Sequence, residues 1–411
     1  MTIALRVLAM IAGLFFISST LMSAVRTVIL PRGVPVRLGR RVFRTMRVLF
    51  DLRVGKDASY RRRDKFFALY APLSLLALLV VWLSFEFLGY SLVFYGVGIK
   101  PIREAVTASG SALLTLGLVH PESLIGTLVS FTGAAVGFIL LALLISYLPT
   151  LYGVFSRREA AVQTLEARAG SPPSAVELLE RFHRIEFLDE LPALWQRWED
   201  WFVEIAETHT SFPVLAFFRS PEPEQSWVTA AGTILDGAAL AVSSLDRPRD
   251  ASAELMIRAG YLALRRIASF FDVPFNPTPD PGDPISIHRH EFDDVLDRLA
   301  AAGVSLKKDR DAAWISFAGW RVNYDTVLLE LAALMQAPPT PWTADRSPVV
   351  GSATRSRPAS PPDEEDRDRE AGAYTADERD LPRAIAGRHA PAGQGARGGG
   401  GRGTGARRRS R

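Results

Sequence analysis

Long apolar runs at three places dominate the N-terminal part of the chain. They cover residues 7 to 25, 66 to 97 and 124 to 148, and few charges interrupt them. Roughly 20 apolar residues in a helix are needed to cross about 30 Å of hydrocarbon, and each run reaches this length. The pattern therefore predicts three transmembrane helices.

Residues 155 to 337 show a different pattern, in which apolar positions recur at spacings of three and four. This spacing is typical of helices that bury one face. The sequence SPPS at residues 171 to 174 is typical of a helix start, and Pro192 interrupts the run that follows. No alternation typical of strands is present, so this part is predicted to be an all-α domain.

The C-terminal segment has neither pattern. From about residue 338 it is rich in proline and charge, and its end is rich in glycine and arginine. Such a composition buries too little apolar surface to offset chain entropy. We therefore expect residues 338 to 411 to form a disordered tail.

Charge predicts how the three helices are oriented. Residues 26 to 65 are dense in arginine and almost free of acid, and Arg157 and Arg158 follow the third run. Short basic loops stay on the cytoplasmic side. The pattern predicts a multi-pass inner-membrane protein with its N-terminus outside and a cytoplasmic C-terminal domain. The alternative, cleavage of the first run as a signal peptide, would put the basic loop outside, against this rule.

The basic loop has two interpretations. Its stretch VFRTMRVLFDLR, residues 42 to 53, places apolar and basic residues at near-helical spacing. This pattern is typical of an amphipathic helix on a membrane surface, and a solvated loop is the alternative. For the basic tail the first expectation is a solvated segment without a partner. Where the loop or the tail binds a partner, we expect anionic lipid in preference to nucleic acid.

Composition narrows the chemistry further. The 411 residues are 48% hydrophobic, carry a net charge of +4 and include no cysteine, which excludes disulfides and thiolate sites. No nucleotide-binding or catalytic motif is present, so we expect no cofactor and no enzymatic activity. The cluster HRHE at residues 288 to 291 lacks the spacing of a metal site and is better explained as a helix N-terminus.

Residues 102 to 118 fit neither a polar loop nor a spanning helix. They are rich in small and hydroxyl-bearing side chains and end in TLGL. The stretch between the second and third apolar runs is long enough for a short helix and an extended return. Irregular backbone at membrane depth persists only where protein buries it or where it lines a wet cavity. Rings of backbone carbonyls at such a place can replace the water shell of a cation.

This layout, over about residues 66 to 152, resembles the two-transmembrane, pore-loop potassium-channel superfamily. The resemblance implies an outer helix, a re-entrant pore helix over residues 102 to 114, a selectivity filter and an inner helix. It also implies a homotetramer that passes a monovalent cation, with potassium expected first. The matching positions are Thr115, Leu116, Gly117 and Leu118 for the filter, and Gly133, Gly137 and Pro149 for a hinge or gate in the inner helix.

The filter is non-standard. Leu118, Val119 and His120 stand where the family has tyrosine, glycine and aspartate. Val119 is β-branched and resists the left-handed backbone that a glycine allows. The second apolar run also contains an acid, Glu86, which is costly in hydrocarbon. A functional role for Glu86 and a place near the headgroups or in a pair across the bundle are both open.

The sequence thus predicts an all-α membrane protein. Its predicted parts are a first transmembrane helix (1 to 30), a basic cytoplasmic loop (31 to 65), a pore-like unit (66 to 152), a helical cytoplasmic domain (153 to 337) and the tail (338 to 411). The predicted function is a cation channel whose cytoplasmic domain serves assembly or regulation. The alternative is a non-conducting, membrane-anchored sensor or scaffold.

Overall fold

The structure, a computed structural model, describes residues 3 to 29, 37 to 54 and 59 to 346. This part of the chain consists of helices and connecting turns without a β-strand, which confirms the predicted all-α class for these residues. The helices in chain order are α1 Ile3–Val28, α2 Arg37–Val54, α3 Tyr60–Phe67, α4 Tyr70–Val97, α5 Ile102–Leu113, α6 Leu124–Ala169, α7 Ala175–Arg184, α8 Leu191–Ser211, α9 Trp227–Ser244, α10 Ala251–Phe270, α11 Arg289–Ala301, α12 Arg310–Arg321 and α13 Asp325–Met335.

Three helices, α1, α4 and α6, are long and apolar enough to cross a membrane. They contain 26, 28 and 46 residues. At about 1.5 Å per residue, even the shortest of them exceeds the roughly 30 Å of a hydrocarbon core. The chain thus has the build of a multi-pass membrane protein with three spans, at the positions of the three apolar runs.

α1 and α4 pack closely because glycines meet at their contact. A β-carbon at Gly13 would lie 2.6 Å from the carbonyl oxygen of Gly89, and one at Gly89 would lie 3.1 Å from that of Gly13. Small residues let helix backbones approach in this way. The rings of Phe16 and Phe85 stack across the same two helices with their centroids 5.9 Å apart.

α6 continues without a break from the apolar region into the helical domain. The hydroxyl of Ser123 caps its start by accepting the N–H of Gly126 at 3.1 Å. Pro149 lies inside the helix and does not end it. At the far end, Leu165 and Ala169 are buried in the core of the helical domain. The pore-like unit and the helical domain therefore share one helix.

The helical domain, formed by α7 to α13 and the end of α6, is centred on α9. Every residue from 227 to 240 in α9 is buried. Small residues bring its neighbours close: a β-carbon at Gly237 would lie 3.1 Å from Leu178, and one at Gly260 of α10 would lie 2.5 Å from Leu235. The domain is therefore built around one almost fully enclosed helix.

A buried ion network ties α9, α12 and α13 together. The guanidinium of Arg321, which is 0% exposed, donates to Asp236 at 2.5 and 2.6 Å and to Asp325 at 2.7 Å. It also donates to the carbonyl of Trp342 at 2.6 Å, and the hydroxyl of Tyr324 donates to Asp236 at 2.9 Å. Burial opposes the charge of Arg321, but the two carboxylates raise its pKa above the ordinary value.

Two details differ from the sequence-based expectation. Pro192 lies in the first turn of α8, where its missing N–H costs nothing, and the preceding break falls before Leu191. The packed chain also continues past residue 338: Trp342 is 8% exposed, and Arg346 pairs with Glu291 at 3.0 Å. The rest of the predicted tail, residues 347 to 411, lies outside the described residues.

Candidate functional site

α5 lies between α4 and α6, and small residues set its place. Three alanines belong to its buried face: Ala105, Ala108 and Ala112. The hydroxyl of Ser109 donates to the carbonyl of Phe87 on α4 at 2.8 Å. A β-carbon at Gly110 would lie 3.3 Å from the ring of Phe87. The helix expected over residues 102 to 114 is thus present, and it ends at Leu113.

The last turn of α5 rests on two glycines of α6. A β-carbon at Gly137 would collide with the carbonyl oxygen of Leu113, and one at Gly133 would lie 3.3 Å from the β-carbon of Ala112. Both glycines are buried. The structure therefore gives the two glycines predicted for a hinge or gate a packing role under α5, while the predicted Pro149 is exposed farther along α6.

The turn after α5 positions residues 115 to 118. The N–H of Thr115 donates to the carbonyl of Ala112 at 3.0 Å, and the N–H of Leu116 donates to the carbonyl of Ser111 at 2.9 Å. Thr115 and Gly117 adopt left-handed backbone conformations, with φ of 53° and 65°. Glycine tolerates this region, but threonine rarely occupies it. Local strain of this kind at Thr115 is frequent at functional sites.

The hydroxyl of Ser111 holds the segment that follows the turn. Its oxygen accepts the N–H of Leu118 at 2.8 Å and that of Val119 at 3.1 Å. Among the described residues, no hydrogen bond is accepted by the carbonyls of residues 115 to 118. Apart from that of Gly117, the backbone N–H groups from residue 115 to residue 119 are thus tied to α5, whereas the carbonyls of residues 115 to 118 accept nothing from the described part of the chain.

In a single chain this segment forms an open surface. The side chains of Leu114, Leu116 and Leu118 are 54%, 56% and 70% exposed. Nothing lies within 4 Å of a β-carbon built at Gly117. Neighbouring exposed apolar side chains mark a surface that contacts lipid or another protein.

A buried arginine joins α6 to the helical domain. Arg158 is 2% exposed, and its guanidinium donates to the carbonyls of Leu215 at 2.7 Å and Phe218 at 2.8 Å. It also donates to the carboxylate of Glu159 at 2.8 Å and meets Nε2 of His209 at 3.1 Å. Charge-assisted hydrogen bonds of this kind are strong and directional.

His209 serves as the acceptor in this cluster. Burial and, next, the charge of Arg158 hold its pKa well below the ordinary value of 6.5. The imidazole is therefore neutral, and Nε2 is free to accept from Arg158.

The turn that Arg158 holds, Pro213–Phe217, also packs against the start of α4. The rings of Tyr70 and Phe217 meet edge to face with centroids 5.7 Å apart. Val214 and Leu215 share a cluster with Ala71 and Leu75 of α4, and with Tyr147 and Leu151 of α6. One turn of the helical domain thus contacts both α4 and α6.

The basic loop forms α2, which settles that this stretch is helical. One face of α2 packs toward α4: the ring of Tyr70 meets those of Phe43 and Phe50 at centroid distances of 6.3 and 5.7 Å. The exposed residues of α2 mix basic and apolar side chains, among them Arg37, Arg41, Arg44, Val48, Leu49 and Leu52. This mixture is typical of a helix at a membrane surface.

Sequence reasoning missed the residues that hold the candidate site. Ser111 was one of several hydroxyls in the segment, and Arg158 was interpreted only as a charge that orients the third helix. Both make contacts across turns whose shape the sequence pattern does not reveal. No known protein family, curated protein or solved structure matches this chain, so its function has to be argued from the geometry above.

Proposed function

We propose that the chain is one subunit of a tetrameric cation channel in which residues 115 to 118 form the ion pathway. One observation carries the proposal: Ser111 ties down backbone N–H groups of this segment, while the carbonyls of residues 115 to 118 accept no hydrogen bond from the residues that the structure describes. A cation is stripped of water by such fixed carbonyl oxygens arranged in rings. One chain supplies a single column of them, so four chains around an axis are needed.

The backbone accounts for the departure from the potassium-channel pattern. Among residues 115 to 119, the left-handed conformations are those of Thr115 and Gly117. Val119, which stands where the family has glycine, keeps a negative φ and is held through its N–H by Ser111. A second glycine is therefore not required for this turn. Because the layout still resembles that of potassium channels, potassium is the first ion to test.

The remaining parts fit a membrane channel subunit. α5 is the candidate re-entrant helix, with its C-terminal end toward the pore, where helix dipoles favour a cation. The basic α2 lies on the cytoplasmic side in contact with anionic lipid, and the helical domain is cytoplasmic. In this arrangement, the turn held by Arg158 connects that domain to the inner helix.

The test is ion flux through the purified protein in liposomes. Gly117→Ala forces a side chain into left-handed backbone, at a cost of roughly 1 kcal/mol per subunit, with no clash inside one chain. Flux of potassium or thallium should fall sharply. Gly153→Ala in α6 is the matched control, because its β-carbon also meets nothing within 4 Å and its φ is not left-handed.

Two outcomes decide against the channel. Wild-type protein that passes no monovalent cation as a tetramer would remove the function. Protein that is monomeric or dimeric in detergent and in lipid would remove the architecture. In either case the rival is a membrane-anchored sensor or scaffold, in which the exposed Leu114, Leu116 and Leu118 face lipid.

A further inference from the structure

Glu86 is an unpaired acid enclosed by the long helices. Its side chain is 0% exposed, and neither carboxyl oxygen has a hydrogen-bond partner among the described residues. It is the only Asp, Glu, Lys, Arg or His in α4. An isolated charge in apolar surroundings is very costly, and acids inside a membrane are usually functional.

Glu86 lies on the face of α4 that also carries Trp82 and Tyr90. Residues four apart share a helix face, so Glu86 points the same way as Trp82 and Tyr90. Trp82 packs in a cluster with Leu140 of α6, and the ring of Tyr90 lies 3.4 Å from a β-carbon built at Gly133. This face of α4 also meets α1, because the indole N–H of Trp82 donates to the hydroxyl of Ser23 at 3.2 Å. On the α6 side it points toward the stretch between Gly133 and Leu140, which includes the glycine under Leu113.

The helices around Glu86 offer it no cation. In α1 and α5 the charged residues lie near a helix end, and in α6 they begin about 20 residues past Gly137; together they are Arg6, Arg26, Arg103, Glu104, Arg157, Arg158, Glu159, Glu166 and Arg168. Arg6 contacts the carbonyl of Gly96 at 3.3 Å, far along α4 from Glu86. The nearest titratable group on α4 is Tyr90, and Tyr147 of α6 packs against Phe212 near the helical domain.

The end of α5 makes a negative charge on Glu86 still less favourable. Carbonyl groups at a helix C-terminus carry partial negative charge, which repels a carboxylate and attracts a hydroxyl hydrogen. A neutral carboxyl group at Glu86 is compatible with the packing of α5 against α4 and α6, whereas an ionised carboxylate destabilises this packing. A metal ion would need several oxygen ligands, and Glu86 is a single enclosed acid.

We propose that Glu86 is a proton-binding site whose proton keeps α5 seated on α4 and α6. Release of this proton to solvent leaves a carboxylate beside the C-terminus of α5, and α5 moves together with residues 115 to 118. The assignment of Glu86 as a proton-binding site depends only on its burial and its packing among the helices. Its consequence for conduction rests on the proposed channel function.

The first test is infrared spectroscopy of the full chain in lipid. Wild-type protein at neutral pH should show the carbonyl band of a protonated carboxyl in apolar surroundings, and the band should vanish in Glu86→Gln. Glu104→Gln, an exposed acid in the first turn of α5, should keep the band. Absence of the band from wild-type protein at neutral pH would overturn the proposal, whether or not the variants fold.

The second test follows the position of the segment. A nitroxide spin label on Leu118→Cys should become several-fold more mobile as the pH is raised from neutral to alkaline, and Glu86→Gln should abolish this change. A label on Leu124→Cys, at the exposed start of α6, serves as the control. An equal response with and without Glu86 would contradict the proposal. Neither test requires ion flux, so a non-conducting protein leaves both results interpretable.

Discussion

The carbonyl oxygen of Leu113 occupies the space in which a β-carbon of Gly137 would stand. No other residue type can lie at position 137 while α5 keeps its place, because every other side chain begins with that carbon. The contact joins the end of a short helix to the first third of the longest one. It makes the position of residues 115 to 118 depend on the surface of α6.

Gly137→Ala should therefore displace α5. Overpacking of a closed contact costs roughly 1 to 3 kcal/mol, and here the obstructing atom belongs to backbone. We expect a lower thermal unfolding temperature in detergent and a more mobile spin label at Leu118→Cys. Gly153→Ala should leave both unchanged or raise stability by up to about 1 kcal/mol, since alanine favours helix. Equal behaviour of the two variants would contradict the packing role of Gly137.

Ser111→Ala should release the segment after the turn. The substitution removes the acceptor of two backbone N–H groups, those of Leu118 and Val119, at a cost of about 1 kcal/mol for each bond. Flux should fall, and amide hydrogen exchange at residues 118 and 119 should accelerate. The matched control is Thr107→Ala, whose hydroxyl bonds only to the carbonyl of Arg103 in its own helix, at 2.8 Å. Unchanged exchange in Ser111→Ala would show that the hydroxyl does not hold the segment.

The His209 cluster predicts a loss of stability in acid. The folded-state pKa of His209 lies well below its ordinary value of 6.5. As the pH falls below that value, the unfolded chain takes up a proton that the folded chain does not, so the folded state loses stability. In His209→Gln an amide oxygen replaces Nε2 as acceptor, and the dependence should become weaker. The measurement is the unfolding temperature of both proteins as a function of pH, and identical slopes would contradict the role of His209.

Arg321→Met should destabilise the helical domain strongly. It leaves Asp236 and Asp325 buried without their cation, and breaking a buried pair in this way costs about 3 to 5 kcal/mol. Arg157→Ala removes an exposed pair with Glu204 and should change stability by less than about 1 kcal/mol. Chemical unfolding monitored by tryptophan fluorescence compares the two. A small effect of Arg321→Met would mean that the carboxylates find other partners or become neutral.

The proposed contact of α2 with anionic lipid predicts a lipid-dependent stability. Arg41 and Arg44 are exposed, and a basic residue near an acidic leaflet gains about 1 kcal/mol. Changing both to glutamine should reduce the rise in unfolding temperature that phosphatidylglycerol produces relative to phosphatidylcholine. Arg258→Gln, at an exposed position of α10, is the control. The same rise in the double variant and in wild type would argue against lipid contact at α2.

The sequence predicted the helices well because their causes are local. Length and apolar content indicated α1, α4 and α6, and the pore-loop resemblance indicated a short helix at α5. The helix start at residues 171 to 174 was predicted too, and there the hydroxyl oxygen of Ser174 accepts the N–H of Glu177 at 3.5 Å. Helix existence depends on such short-range patterns.

The candidate site was less predictable because its contacts link distant residues. The bonds of Ser111 to Leu118 and Val119 depend on the path of the turn, which follows from the φ of Thr115 and Gly117. The contact of Gly137 with Leu113 depends on the tilt of two helices. That Glu86 lacks a hydrogen-bond partner among the described residues can be seen only once the positions of all neighbouring helices are known.

The continuity of α6 has a mechanical consequence. Its 46 residues make a rod of about 69 Å, at about 1.5 Å per residue. The far end of α6 is embedded in the helical domain. A rotation of this end is transmitted to Gly133 and Gly137 under α5, because continuous hydrogen-bonded turns connect the helical domain to these glycines. Pro149 has no N–H and so removes one backbone hydrogen bond from α6, which makes the helix bend most easily at this position. Tyr147, two residues before Pro149, contacts Phe212 of the helical domain with ring centroids 5.6 Å apart. The helical domain therefore supports α6 directly beside the position where the helix bends most easily.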